Sequence, residues 1–130
     1  MNEYDEIDAI IQKDNELIAV FCGGVLEYTQ AFGEVYRFDN PGTHKLLMKL
    51  PPFGIYPKNG SNGKTDLPFS YDYNYLMFAI KHCVDKATTD ELKEKLAEIK
   101  EALISFVGEP FDIHYTHLKV AEFVKLYNKI

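Results

Sequence analysis

The stretch "NGSNGKT", residues 59–65, ends like a phosphate-binding loop and raises the question of nucleotide chemistry. In the pattern G-x-x-x-x-G-K-[ST], the first glycine lets backbone N–H groups face the phosphates, and the hydroxyl begins a helix whose dipole favours the anion. Here Lys58 stands where the first glycine belongs. Downstream, Pro68 removes a backbone donor and disfavours helical geometry at Leu67. The sequence therefore predicts a polar surface turn and no bound nucleotide.

Two histidines near the C-terminus are the candidate metal ligands. His114 and His117 stand three residues apart and share one face if the last helix begins before His114. Asp112, His82 or Cys83 would have to complete such a site. Zinc needs three or four ligands at recognisable spacings, and neither C-x2-C nor H-E-x-x-H occurs. The expectation is that the protein holds no metal and no cofactor.

The cysteines and the acidic N-terminus predict a cytoplasmic protein. Cys22 and Cys83 are too few for a disulfide framework and suit reduced, buried side chains. Cys83 follows His82, but neighbours on a helix point about 100° apart, so no thiolate pair and no catalytic residue is predicted. Met1 to Glu16 holds six acidic residues and one lysine, the reverse of a secretory signal. No run approaches the roughly 18 apolar residues of a membrane span, so no membrane partner is expected.

Length and charge limit the classes of protein that the chain can form. With 130 residues, 46% of them hydrophobic, one domain with one core is expected over residues 1–130. The formal charge of −6 makes the chain acidic, and Arg37 is its one arginine. A chain without a stripe of Lys and Arg gains no counterion release from a phosphate backbone. No nucleic-acid partner is therefore predicted.

The first third of the chain predicts a helix followed by a β-hairpin. Apolar residues in Leu17 to Cys22 have the spacing of one helix face, which Asn15 would cap and Gly23-Gly24 would end. A buried strand over the same residues stays open. The β-branched and aromatic runs "VLEYT" and "EVYRF" then predict a small antiparallel sheet, a hairpin at about 25–38. For "HKLLMKL", periodicity does not decide between a short helix and a strand.

Residues 51–70 contain four prolines and are typical of one long Pro/Gly-rich loop. A structureless loop beyond about 12 to 15 residues is uncommon in a compact domain and is often functional. A ligand pocket under this loop would be lined by four aromatic residues, Tyr56, Phe69, Tyr71 and Tyr73.

Two further segments predict helices of different character. "SYDYNYLMFAIKHCVD", capped by Ser70 or Asp72, is apolar on nearly every side, which is typical of a helix in the middle of a fold. "TTDELKEKLAEIKEALISF", capped by Thr89 or Asp90, predicts an amphipathic surface helix. Its apolar stripe consists of Leu92, Leu96, Ile99, Leu103 and Phe106.

The last segment, "THLKVAEFVKLYNKI", predicts a helix that packs on the central one. Phe123 and Tyr127 are expected to contact the central helix at Leu76 and Met77. Lys125, beside them, is expected to be nearly neutral to substitution. The residues expected to be buried are Leu118, Ala121, Phe123, Val124 and Tyr127.

Three segments together resemble small phage proteins of the phage ABA sandwich family: "ELIAVFCGG", "YDYNYLMFAI" and "VAEFVKLYN", in that order. The positions that match are Leu17, Ile18, Ala19, Phe21, Gly23, Tyr73, Tyr75, Leu76, Met77, Val120, Glu122, Phe123, Lys125, Tyr127 and Asn128. The resemblance implies an α/β/α layered domain encoded by a phage or prophage, with no established activity. The expected fold is therefore α+β, a small antiparallel sheet with about four helices in a sandwich-like arrangement.

Two functional hypotheses follow. The first is a noncatalytic domain that binds another protein or a second copy of itself, through its acidic N-terminal segment or the 51–70 loop. The alternative is a small-molecule-binding or enzymatic domain with its pocket under that loop. A flat exposed apolar patch or a symmetric dimer surface favours the first, and a deep pocket with converging polar groups favours the second.

Overall fold

The described part of the chain contains four helices and one three-stranded antiparallel sheet. The structure is a computed structural model and describes residues 3–38, 54–58, 67–70, 72–104 and 113–130. In chain order the elements are α1 (Glu3–Phe21), β1 (Val25–Thr29), β2 (Gly33–Phe38), β3 (Gly54–Pro57), α2 (Tyr73–Lys86), α3 (Asp90–Ile104) and α4 (Ile113–Lys129). The predicted α+β class, with a hairpin at 25–38 and about four helices, is confirmed.

Helix α1 runs unbroken to Phe21, so the helix interpretation of this segment is correct and the strand alternative is wrong. The predicted cap at Asn15 is also wrong, because Asn15 lies inside the helix with its side chain buried. Ile11, Asn15 and Ile18 follow one another at helical spacings, so the core-facing side of α1 continues through Asn15. The buried amide must therefore find hydrogen-bond partners inside the protein.

Two glycines end α1, as predicted. Gly23 adopts a φ of 95°, in the left-handed region. Its N–H donates to the carbonyl of Val20 at 3.1 Å, and the N–H of Gly24 donates to the carbonyl of Ala19 at 2.8 Å, the pair of bonds of a Schellman motif. A Cβ at Gly24 would meet the ring of Phe38 at 2.8 Å. This close approach sets the sheet directly against the end of α1.

Strands β1 and β2 form the predicted hairpin, with Val25 opposite Arg37 at one end and Thr29 opposite Gly33 at the other. The loop ends at Gly33 with a φ of 69°, as expected for a short hairpin closed by a left-handed residue. The Thr29 hydroxyl accepts from the N–H of Phe32 at 3.0 Å and donates to the carbonyl of Gly33 at 3.2 Å. The turn is therefore held by a local side chain as well as by the ladder.

The third strand, β3, lies inside the predicted 51–70 loop, so the interpretation of that whole segment as a loop is wrong. Its Ile55 and Tyr56 are β-branched and aromatic residues that suit a pleated surface, but the surrounding prolines masked this signal. β3 pairs antiparallel with β2, with Tyr56 opposite Tyr36. Outside the described residues lie the rest of the loop and the "HKLLMKL" segment, at residues 44–53 and 59–66.

Helix α2 starts at the second of its two predicted caps. The Asp72 carboxylate accepts a hydrogen bond from the N–H of Asn74 at 2.9 Å. The prediction that the helix is buried on every side is wrong, because Met77 and Val84 are each about half exposed. Helices α1, α3 and α4 contact the other side of α2. The buried residues on that side are Leu76, Ala79, Ile80 and Cys83.

Helix α3 is the predicted amphipathic helix. The Thr89 hydroxyl accepts from the N–H of Leu92 at 3.2 Å, so Thr89 is the cap. Leu92, Leu96 and Ile99 are buried as predicted, and Leu103 is partly buried. Phe106 lies outside the described residues. The charged face of α3 contributes to a surface network in which Lys95 and Lys119 pair with Glu98 and Glu122.

Helix α4 buries Ala121, Phe123 and Val124 as predicted, but the prediction for Leu118 is wrong, because 43% of that residue is exposed. The buried face instead begins with Thr116, His117 and Val120. A helix turns through about 100° per residue, so Leu118 lies well away from the His117 side. Apolar residues occur on both sides of α4, and its neighbours determine which side is buried.

Phe123 of α4 lies in the same core cluster as Leu76 of α2, whereas Met77 is about half exposed, and the aromatic rings of α4 also pack on α1. The rings of Phe123 and Tyr127 lie 5.9 Å and 5.3 Å from the ring of Phe21, both edge to face. Lys125, between them, is no neutral position: its ammonium contacts the carboxylate of Asp14 at 3.0 Å, and Asp14 is only 3% exposed. Removal of Lys125 would leave the buried carboxylate of Asp14 without its cation. The prediction that substitution of Lys125 is nearly neutral is therefore wrong, and a loss of stability is expected.

We expect Phe123→Ala to lower the free energy of unfolding by roughly 3 to 5 kcal/mol, because the side chain is fully buried and touches Phe21. Leu118→Ala on the same helix is the matched control and should lower it by less than about 1 kcal/mol. Chemical denaturation of the two variants measures both values. Equal losses would contradict the orientation of α4.

Candidate functional site

The predicted ligand-binding aromatics are packed with other rings. Tyr56 and Phe69 flank Phe38, with ring centroids 5.6 Å and 6.3 Å from it. Phe69 is fully buried, and the hydroxyl of Tyr56 donates to that of Tyr75 at 3.1 Å. Tyr73 is partly buried against the same core, and Tyr71 lies outside the described residues. The described residues of this set form an aromatic cluster, and their role in binding a ligand stays a prediction.

The two predicted metal candidates point into different surroundings. His114 is exposed, whereas His117 is buried and bound to Asn15. Within the ranges that the structure describes, no three His, Cys, Asp or Glu side chains are grouped so that they could hold a metal ion. Asp112 lies outside those ranges. The two imidazoles therefore differ in burial despite their spacing of three, and His117 is directed into the core.

A buried polar cluster joins three separate parts of the chain. The Nε2 of His117 and the Oδ1 of Asn15 lie 2.8 Å apart. The Nδ2 of Asn15 donates toward the carbonyl of Leu67 at 3.4 Å and the hydroxyl of Ser70 at 3.5 Å. Because the amide nitrogen is the donor in these two contacts, Oδ1 is the acceptor for His117, which assigns the proton of the imidazole to Nε2. Asn15 thus ties α1 to α4 and to residues 67–70.

Burial keeps His117 neutral. It lowers the pKa of the imidazole to about 4, against a smaller upward effect of Asp14 and with smaller downward effects of His114 and Lys125. In the neutral imidazole, the N–H at Nε2 is engaged in the hydrogen bond to the Oδ1 of Asn15, so this group is not available to donate a proton to a substrate. His117 is therefore a positioning group between two helices. Its i, i+3, i+4 relation to other buried α4 residues was the signal in the sequence that it faces the core.

The two cysteines are buried and uncharged. Burial raises the pKa of the Cys83 thiol to about 12 and raises that of Cys22 further, with Cys83 adding to the rise at Cys22. His82, next to Cys83, packs its ring against Phe78 at 4.8 Å and Phe21 at 6.3 Å, and burial lowers its pKa. A thiol that stays protonated at neutral pH is a poor nucleophile. No Cys-His pair of a nucleophilic enzyme is formed by these residues.

A surface groove of about 410 Å³ runs beside the C-terminal half of α1. This size lies in the range of small-molecule sites. Its apolar lining consists of Leu17, Val20, Phe21 and Tyr127. Its polar lining consists of Lys13, Glu16, Tyr36, Lys86 and Asn128. The lining comes from α1, β2, α2 and α4, which are far apart in the chain, so no local pattern predicts the groove, and the spacing of Phe21 and Tyr127 predicts core positions only.

A second feature is an exposed apolar surface on the hairpin, here named the β1 surface. It consists of Val25, Leu26, Tyr28 and Phe32. Tyr28 is 76% exposed, and the other three are between 44% and 56% exposed. Leu26 and Tyr28 share one face of β1, Val25 lies on the other face, and Phe32 lies in the turn that follows. A group of large apolar side chains exposed this close together is a candidate interaction surface.

The fold and these features define an α+β domain with a mixed polar and apolar groove and an apolar strand at one edge of its sheet. No family model matches the chain, and neither a curated protein nor a solved structure matches it. None of the helices in the described ranges is long and apolar enough to cross a membrane.

We expect acid to destabilise the protein through His117. Its pKa is about 4 in the folded protein and about 6.5 in the unfolded chain, so between these values the unfolded chain binds a proton that the folded protein does not. This contribution is fully present above pH 6.5 and is lost as the pH falls through 4, by about 3 kcal/mol in total.

His117→Gln should therefore flatten the fall in the free energy of unfolding between pH 7 and pH 4.5, measured by denaturant titration at each pH. The control is His114→Gln, on the exposed side of the same helix, which should change the slope much less, because His114 makes only a small contribution to the lowered pKa of His117. A His117→Gln variant with the full wild-type slope would show that other groups cause the acid loss.

We also expect thiol reagents to label Cys22 and Cys83 slowly at neutral pH, because both are buried and their pKa values are raised. Labelling should become fast in denaturant, and mass spectrometry would follow both sites. Fast labelling of the native protein would contradict the packing of α1 and α2 at these residues.

Proposed function

We propose that the protein is a noncatalytic protein-binding domain of phage or prophage type, and that it docks through the β1 surface to a second copy of itself. The observation that carries the proposal is the row of exposed apolar side chains on β1. The buried thiols and the neutral His117 support the noncatalytic part, because the reactive side chains that were candidates are committed to packing.

Strand β1 has the properties of an edge that pairs with another strand. In the described part of the sheet, β1 is hydrogen-bonded to β2 alone. Natural proteins protect such edges with lysine, proline or a bulge, and Val25–Thr29 contains no lysine and no proline. The single charge on the strand, that of Glu27, is paired with Arg37 and therefore does not prevent the approach of another strand.

The sequence of β1 is complementary to itself. An antiparallel pair of β1 strands with its twofold axis at Glu27 would place Leu26 opposite Tyr28 of the partner subunit twice. Aliphatic and aromatic residues directly opposite each other are a favourable cross-strand pair. In an edge strand, every second residue directs its N–H and C=O groups away from its own sheet. With the twofold axis at Glu27, the outward-directed residues of one copy lie opposite the outward-directed residues of the other, so their backbone groups can hydrogen-bond. The two sheets would join into one of six strands.

The charges permit this register. The Nε of Arg37 contacts the Oε2 of Glu27 at 2.6 Å, so each chain brings a neutralised carboxylate to the axis. Two glutamates without partners would repel each other when directly opposite. Across the axis each Glu27 would face Glu27 of the partner subunit with its own Arg37 on the outer side, so that each ion pair reaches the axis without net charge. The surface therefore fits a second copy better than a partner with an acidic or basic strand.

The remaining parts of the proposal rest on the sequence. The phage or prophage origin is supported by the three matching segments, of which Ile18, Ala19, Leu76, Val120 and Phe123 occupy buried positions. A cytoplasmic location is supported by two cysteines that stay free thiols.

We expect the protein to dimerise with a dissociation constant that the β1 surface determines. The double variant Leu26→Lys with Tyr28→Lys should weaken the dimer by roughly tenfold or more, because it places charge on both cross-strand pairs. Sedimentation over a range of protein concentrations measures the constant. The control is Ile104→Lys, which replaces another exposed apolar residue, on α3, and should leave the dimer unchanged.

A cysteine scan of β1 tests the register. In the proposed pairing, Glu27 faces its own copy, and opposite residues in an antiparallel pair lie close enough for a disulfide. Mild oxidation should therefore cross-link Glu27→Cys and leave Thr29→Cys without a cross-link, because Thr29 faces Val25 of the partner subunit. A monomer at every concentration, or equal cross-linking of the two variants, would contradict the proposed interface.

A further inference from the structure

The groove beside α1 combines a fixed positive charge with an apolar wall. The ammonium of Lys86 lies 5.5 Å from the ring centroid of Phe21 and 5.2 Å from that of Tyr127. These two rings are themselves in edge contact, with centroids 5.3 Å apart. A cation over aromatic rings is held by their negative faces and keeps its full charge. Lys86 is therefore positioned before any ligand arrives.

The carboxylate of the groove is already occupied. The hydroxyl of Tyr36 donates to the Oε1 of Glu16 at 2.7 Å, and the ammonium of Lys58 lies 3.6 Å from the same oxygen. By contrast, Lys13 and Lys86 form no ion pair with any residue in the described part of the chain. Two ammonium groups without counter-charges thus line a groove whose one acid has its own partners.

Helix ends near the groove do not cancel this charge. Helices α1, α2 and α4 all end close to it, and each helix C-terminus carries a partial negative charge. The carbonyls of Lys86 on α2 and Tyr127 on α4 accept from the N–H groups of Thr88 and Ile130. The last carbonyls of α1 are bound, since those of Ala19 and Val20 accept from Gly24 and Gly23. A partial charge that falls off within one turn is weaker than two full ammonium charges. The groove as a whole therefore favours an anion.

We propose that this groove binds a small amphipathic organic anion, an acid group on an apolar body. The acid would lie between Lys13 and Lys86, with the amide of Asn128 as a further donor. The apolar body would cover Leu17 and Val20, of which Val20 is 59% exposed without a ligand. Aliphatic and aromatic walls with a few placed polar groups are the usual composition of such sites.

The probe for the test is 8-anilinonaphthalene-1-sulfonate, an apolar body with one anionic group, whose fluorescence reports binding. Lys86→Met should weaken its binding by roughly tenfold, because the apolar stem stays while the charge is lost. Lys81→Met, an exposed lysine on the same helix that does not line the groove, should bind as wild type does. Raised salt should weaken wild-type binding more than that of Lys86→Met.

A second pair of variants tests the apolar wall. Val20→Glu places a negative charge in the groove at an exposed position and should abolish binding, whereas Val84→Glu, exposed on α2 outside the groove, should not. Decanoate, a carboxylate with an aliphatic body, should displace the probe. Unchanged affinity in Lys86→Met or Val20→Glu would overturn the proposal.

The β1 surface must be separated from the groove, since the probe also binds exposed apolar patches. The double variant Tyr28→Lys with Phe32→Lys, at the turn end of the hairpin and away from Tyr36, should keep wild-type affinity for the probe in the groove. Loss of binding in that variant would place the probe on the β1 surface and overturn the groove as the site. The outcome of this test is independent of whether the protein dimerises.

Discussion

The hydrogen bond between Asn15 and His117 is the contact on which the arrangement of the helices depends. It joins residues 102 positions apart at 2.8 Å, and both side chains are almost fully buried. A buried amide or imidazole without a partner lowers stability by about 1 to 3 kcal/mol, so any slide of α1 along α4 would break both. Apolar contacts tolerate small shifts, but a hydrogen bond has a defined length and direction. The polar pair therefore specifies one register among several that would bury similar apolar area.

That register explains the other contacts of α1. With Asn15 held against α4, Asp14 meets Lys125 at 3.0 Å, two helical turns further along α4 from His117. At the end of α1, Phe21 comes to lie against Phe123 and Tyr127. The opposite side of α1, which carries Lys13, Glu16, Leu17 and Val20, is left to line the groove. Helix α1 thus packs in the core on one side, makes polar contacts with α4 on a second, and lines the groove on a third.

Local patterns in the sequence predicted local structure well and long-range pairing poorly. The glycines after α1, the hairpin turn and the stripe of α3 are set by residues within a few positions of each other. The glycines, the turn and the stripe residues Leu92, Leu96 and Ile99 are confirmed. Leu118 was assigned to the core because α4 is apolar on more than one side, and only its neighbours decide which side is buried. Asn15 was assigned to a cap because its partner is remote in the chain. The groove is likewise built from α1, β2, α2 and α4, so no single segment of sequence contains its pattern.

The sheet and the groove are mechanically connected through one residue of β2. Tyr36 lines the groove, and its hydroxyl is bound to Glu16 of α1 at 2.7 Å. On the sheet, Tyr36 is paired directly with Leu26, whose side chain lies on the same face and belongs to the β1 surface. The hydroxyl contact joins β2 to α1, and burial beside Glu16 raises the pKa of Tyr36, so this hydroxyl stays a donor at any physiological pH. The hydrogen bond between Tyr36 and Glu16 therefore lies at one side of the groove and also joins α1 to β2, the strand that pairs with β1.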